Sequence, residues 1–119
     1  MFVKGVEALT SSVLIAAHRA GCYERVVASL AASYPGLDWQ KFPDYQVERM
    51  MTHGVRRAAE MRECAATYDE FGLIGDIAAR VADMQQAMGE LERRPKDTLK
   101  DTVAELSAAL GHIKYTGGE

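Results

Sequence analysis

Val47, Met51, Gly54, Ala58, Met61, Ala65 and Tyr68 recur at alternating steps of four and three, which makes one apolar stripe on a helix. The stripe runs through Tyr45–Phe71, the longest uninterrupted helical pattern in the chain. Asp44 is placed to cap its start just after the breaker Pro43, and Gly72 to end it. A glycine inside a helix costs roughly 1 kcal/mol relative to alanine. Gly54, with Ala58 and Ala65 on the same stripe, therefore predicts the close approach of another helix.

The flanking segments carry the same period. Met1–Ala20 is apolar on most sides, which predicts a helix buried on most sides, with Lys4, Glu7, Ser11 and His18 on its one polar strip. No Ser, Thr, Asp or Asn precedes it as a cap, so the chain reads as beginning inside a helix that once extended further back. Gly21 ends this helix, and a second runs from about Tyr23 to Ser33 with Val26, Val27, Leu30 and Ala31 inward. Pro35-Gly36 marks a turn. Asp38 can cap a short helical turn through Phe42, and Trp39 and Phe42 are expected to anchor this loop in the core.

After Gly72, Asp76 is placed to cap a helix reaching about Arg93, with Ile77, Val81, Met84, Met88 and Leu91 on one face. Pro95 separates it from a last helix, capped by Asp97, striped by Leu99, Val103, Leu106 and Leu110, and ended by Gly111. Residues 112–119 read as a flexible tail. Alternating strand patterns are missing. The fold class is all-α, a single domain built as a helical bundle of about five main helices, antiparallel where connections are short.

The 119 residues suffice for one core, and 48% hydrophobic with 26% charged residues suits a water-soluble, cytoplasmic domain. A net charge of -3 argues against generic nucleic-acid binding. No apolar run reaches the ~20 residues of a membrane span. Cys22 and Cys64 lack CxxC spacing and read as reduced core residues. His18, His53 and His112 are far apart in sequence, so no metal site is expected. The methionines Met50, Met51, Met61, Met84 and Met88 suit an adaptable core or a dimer contact.

Candidate chemistry gathers on the long helix. Arg49, His53, Arg56, Arg57 and Glu60 fall within roughly a third of its circumference, on a different arc from the apolar stripe. One reading is a solvated face with ordinary ion pairs. The other is an anion site, with two guanidiniums for a carboxylate or phosphate, His53 as a donor and Glu60 orienting the arginines. Lys4 either pairs with Glu7 at i, i+3 or points into a cleft.

Two stretches, KGVEALTSSVLIAAHRAG (Lys4–Gly21) and YPGLDW followed by DYQVERMMTHGVRRAAEMRECAATYDEFGL, resemble the C-terminal helical domain of NAD(P)-dependent oxidoreductases of the 6-phosphogluconate dehydrogenase and β-hydroxyacid dehydrogenase superfamily. The branch resembled is a poorly characterised one, its C-terminal domain catalogued as of unknown function, and the likeness covers roughly Phe2 to Gly89. It implies an N-terminal Rossmann domain that binds NAD or NADP and is missing here, and a helical domain that completes a substrate cleft and dimerises. The resemblance also implies a catalytic lysine about one turn upstream of Met1, with Lys4 lining the cleft about two turns further on. A Lys-Asp pair of better-known members falls near Ala59-Glu60: the acidic position matches in type, the lysine does not, and Arg56 and Arg57 are placed to supply the charge.

The implied function is the substrate-cleft and dimerisation domain of an oxidoreductase acting on a small hydroxy acid or related alcohol. Its candidate substrate-binding residues are Lys4, His53, Arg56, Arg57 and Glu60. The chain alone is expected to hold no cofactor, no metal and no catalytic residue. The implied partners are the Rossmann domain and a second copy of the chain, with neither nucleic acid nor membrane. The alternative is a stand-alone helical interaction or dimerisation module without catalysis.

Overall fold

A computed structural model describes residues 1–111, and the expected tail at 112–119 lies outside them. Five helices follow one another: α1 (Phe2–Arg19), α2 (Tyr23–Ser33), α3 (Lys41–Glu70), α4 (Asp76–Glu90) and α5 (Leu99–Leu110), with no strand among the described residues. The all-α bundle expected from the periodicity is the observed fold.

Helix ends follow the glycines. Gly21 and Gly72 adopt φ of 75° and 73°, where a Cβ would be strained. Beyond each, a 6→1 hydrogen bond closes a Schellman motif: Cys22 N–H to the Ala17 carbonyl at 2.9 Å, and Leu73 N–H to the Tyr68 carbonyl at 2.9 Å.

Helix starts depart from expectation. Pro43 does not break the chain before α3; it lies in the first turn, where its missing N–H has no intrahelical partner to lose. The turn begun at Asp38 therefore merges into α3. The Asp38 carboxylate accepts from the N–H groups of Gln40 at 2.9 Å and Lys41 at 3.1 Å, so Asp38 rather than Asp44 serves the start of the helix. Asp76 lies inside the first turn of α4, after Gly75. Thr98, not Asp97, caps α5: its hydroxyl accepts from Asp101 N–H at 3.1 Å.

The α3 stripe is buried as predicted at Val47, Met51, Gly54, Ala58 and Met61. Helix α4 runs antiparallel against it, and the backbones touch. A Cβ on Gly54 would meet Gly89 N at 2.7 Å and overlap the Gln85 carbonyl; one on Gly89 would meet Val55 N at 2.5 Å. Such proximity rotates α4. Ala78 and Ala82 face α3, while Ile77, expected inward, is 65% exposed, because only small side chains fit the seam. Helix α4 also stops at Glu90 rather than near Arg93.

Helix α1 lies antiparallel on α3, with its C-terminal end tied to α5. Arg19 donates to the Ser107 hydroxyl at 2.9 Å, to the Ser107 carbonyl at 2.7 Å and to the Gly111 carbonyl. Leu14, Met50, Met61, Val103 and Leu106 are central to the core. Met51 and Met88 are buried too, and Met84 packs against them from a partly buried position. Helix α2 is peripheral: Tyr23 is its one fully buried residue, and Val26, Val27, Leu30 and Ala31 are half-buried. Trp39 and Phe42 are likewise half-buried and form a surface aromatic cluster with Tyr34 rather than a core anchor, with the Trp39 indole donating to the Tyr34 carbonyl at 3.0 Å. Cys22 and Cys64 are free.

Helix α1 buries Leu14 and Ala17 as expected but turns its polar strip inward as well. Glu7 and Ser11, on the polar strip, are 1% and 2% exposed. Phe2 and Leu9, from the apolar side, are 80% and 66% exposed. The strip turns inward because α3 and α4 supply partners that satisfy it. No described helix is long and apolar enough to cross a membrane.

Candidate functional site

A buried carboxylate must find hydrogen bonds and a countercharge or give up its ionisation. Glu7 finds both. The Arg57 guanidinium donates to its Oε2, and Gln85 Nε2 donates to its Oε1 at 3.0 Å while also reaching the Lys4 carbonyl at 3.1 Å. Three helices therefore meet at one polar knot. Arg57 Nε and Gln85 Oε1 remain buried in it without a hydrogen-bond partner among the described residues.

One turn along α3 and towards solvent stands a second group. Lys4 Nζ lies 3.6 Å from Glu60 Oε2, and Arg56 Nε lies 4.0 Å from Glu60 Oε1. Lys4 is thus aimed at α3 rather than paired with its neighbour Glu7. Arg56 is well exposed, Glu60 about half, and Lys4 less so. Glu60 orients Arg56; Arg57 is oriented by Glu7.

Further along α3, Glu48 chelates Arg49 with contacts of 2.8 and 2.9 Å and accepts from the Thr52 hydroxyl. Burial pushes the Glu48 carboxyl up, but the hydrogen bonds from Thr52 and Arg49 and the nearby charges of Arg49 and His53 outweigh it, holding the group below its usual value. The Arg49 guanidinium sits 5.5 Å above the Tyr45 ring. His53 is half-buried beside this group, with no hydrogen bond or ion pair to another described residue.

Of the five sequence candidates, Lys4, Arg56 and Glu60 are joined in one ion-paired group. Arg57 stands behind it, engaged with Glu7, and His53 stands apart, beside the Glu48–Arg49 group. Two participants escape a search by residue type. Glu7 has a signal in the sequence, as an isolated carboxylate on a helix otherwise rich in apolar residues. Gln85 has a fainter one, as an amide among the small residues Ala78, Ala82 and Gly89. Chemically, the exposed part is a pair of cations sharing one carboxylate. An anionic group can compete with Glu60 for them, while the Glu7–Arg57 pair holds both helices in register. No cluster of three His, Cys, Asp or Glu suited to a metal occurs among the described residues.

Comparison with solved structures finds a conserved hypothetical protein from Sinorhizobium meliloti 1021, 34% identical, with a TM-score of 0.76. The match covers 92% of this chain and 36% of that one, so the chain spans about a third of that protein's length. No curated protein matches. Residues 17–88 match the family described as a domain of unknown function, DUF1932, a stretch that contains α2, α3 and most of α4. With more than half of its length inside that match, the chain belongs to the DUF1932 family.

Proposed function

We propose that this chain is the helical C-terminal-type domain of an NAD(P)-dependent oxidoreductase of the 6-phosphogluconate dehydrogenase and β-hydroxyacid dehydrogenase superfamily. In this reading it forms one wall of the cleft for a small hydroxy acid or related alcohol. The observation that carries the reading is the convergence of Lys4 from α1 with Arg56 and Glu60 from α3 on a single face, held in register by the buried Glu7–Arg57 pair. Lys4 and Arg56 receive the substrate's acid group, Glu60 sets their spacing, and Arg57 and His53 shape the wall. The resemblance in Lys4–Gly21 and in the HGVRRAAEM stretch of α3 supports a cleft lined by these two helices.

The cofactor, NAD or NADP, is bound by a Rossmann domain preceding this one in a cytoplasmic parent protein, and the chain alone is inactive. The outward apolar side of α1, with Phe2, Val3 and Leu9, and the α3–α4 tip, with Phe71, Leu73, Ile74 and Ile77, suit contact with that domain or with a second copy. The same exposed apolar residues favour the second reading, a stand-alone helical dimerisation module.

The experiment compares the chain with a longer polypeptide carrying the preceding domain. The longer form is expected to oxidise a small hydroxy acid with NAD(P), and Arg56→Ala is expected to raise KM about tenfold or more with kcat less affected. The chain alone is expected to bind no NADPH. Micromolar NADPH binding by the chain would overturn the assignment of the cofactor to the preceding domain, and no turnover across a hydroxy-acid panel by a folded longer form would overturn the oxidoreductase reading.

A further inference from the structure

A groove of about 540 Å³ opens between α1 and α4 and is closed at one end by Leu110 and Gly111. It stands apart from the face described above: at about 100° per residue, Arg62, which lines it, lies on the opposite side of α3 from Glu60. Its volume is that of a small-molecule site, about 300–1,000 Å³, and such sites combine an apolar lining with a few polar groups.

The lining has that composition. Ile15, Met84 and Leu110 supply apolar surface, and a methionine adapts to irregular ligands. Arg62 and Arg19 supply charge, and among the described residues neither has a carboxylate partner. Arg62 reaches only the Gln86 amide oxygen at 3.4 Å, and Arg19 donates to the Ser107 hydroxyl and to backbone carbonyls. Of the two lining carboxylates, Asp83 is bound by Arg80 at 2.9 Å, which leaves Glu90 against two guanidiniums. The lining also holds a polar group buried to 2% exposure: the Ser11 hydroxyl, whose hydrogen is given to a weak acceptor, Met50 Sδ, at 3.1 Å. Its oxygen remains able to accept.

We propose that this groove binds a small amphipathic monocarboxylate, aliphatic or aryl, with its apolar body along Ile15, Met84 and Leu110 and its carboxylate on Arg62. The charge left on the lining matches a monoanion, and a planar guanidinium suits a carboxylate's two oxygens. The site is independent of the substrate cleft proposed above.

Sodium octanoate is the probe and octan-1-ol its uncharged control, each titrated into the chain while the methyl resonances of Met50, Met84 and Met88 are followed by NMR. Octanoate is expected to shift these methyls saturably and to bind at least about tenfold more tightly than the alcohol. Arg62→Gln, at an exposed position, is expected to weaken octanoate about tenfold and leave the alcohol unchanged. Ser12→Phe, also at an exposed lining position, is expected to abolish both. Equal affinity for the two probes, unaltered octanoate binding in either variant, or shifts spread over the exposed apolar tip instead of the groove would each overturn the proposal.

Discussion

Helix α3 has two long seams, and they are built from opposite materials. Against α4 the contact is dry and backbone to backbone, with Gly54 lying on Gly89 and Ala58, Ala78 and Ala82 filling the rest. Against α1 the contact holds a buried carboxylate, a guanidinium and a glutamine amide. A glycine seam tolerates no added atom and makes the α3–α4 hairpin a fixed scaffold. A charged seam is directional: Glu7 can satisfy itself at one register only, and that register sets Lys4 beside Glu60. The first seam gives the domain its shape, and the second fixes where α1 presents its cation.

The sharpest way to break this contrast is to add one carbon to the dry seam. Gly54→Ala gains roughly 1 kcal/mol in helix propensity, but its Cβ overlaps α4 backbone that cannot yield without separating the helices. A net destabilisation of about 2–4 kcal/mol is expected in urea unfolding. Gly5→Ala is the control, because its Cβ would meet only Val81 Cγ2, at 4.0 Å, so it is expected to be neutral or stabilising. Equal effects at the two positions would show that the close approach does not define the seam.

In the charged seam, Glu7→Ala leaves Arg57 without its acceptor and Gln85 with the Lys4 carbonyl alone, and is expected to cost about 3 kcal/mol. The double variant Glu7→Met with Arg57→Met removes both charges and is expected to recover most of that loss, since a buried pair is often replaceable by apolar groups of similar volume. A double variant no more stable than Glu7→Ala would mean that packing, rather than an orphaned charge, dominates this seam.

These seams also separate what the sequence made legible from what it hid. The α3 stripe, its end at Gly72 and the close approach at Gly54 were readable because period and residue size constrain them locally. The face of α1 was not. Hydrophobicity placed Phe2 and Leu9 inside, whereas the buried side is the one whose Glu7 finds Arg57, fifty residues away in sequence, and Gln85 on a third helix. The α4 face was misjudged for a related reason: the seam selects small side chains, so Ala78 is inside and the larger Ile77 outside. Of the candidate site, the residues on α3 were legible from their shared arc. Their division into a buried Arg57 and an exposed Arg56 depends on α1 and had no local signal.

A smaller effect is expected at the start of α3, outside both seams. The backbone N–H groups of Gln40 and Lys41 hold the Asp38 carboxyl below its ordinary value. A lowered folded pKa means a contribution present in full above the unfolded value, about pH 3.9, and lost as pH falls through the folded value. Asp38→Asn keeps an acceptor for the cap, so the stability difference from wild type should narrow below about pH 4. Asp38→Ala loses the cap at every pH above that window. A gap between wild type and Asp38→Asn that stays constant down to pH 2 would remove this carboxylate from the helix start.

The smallest expected effect bears on function most directly. The Lys4–Glu60 pair is long at 3.6 Å and partly solvated, so Lys4→Ala should change stability by only a few tenths of a kcal/mol, well below the effect of Glu7→Ala one turn along the same helix. Its two neighbours predict different things for anion binding. If the charged seam serves to present Lys4, then Lys4→Ala weakens binding of a hydroxy-acid substrate to the longer polypeptide without altering its unfolding midpoint, and Lys4→Arg restores part of it. A loss of several kcal/mol in Lys4→Ala would instead make Lys4 part of the seam itself. The buried pair would then be holding α1 in place and presenting nothing to a ligand.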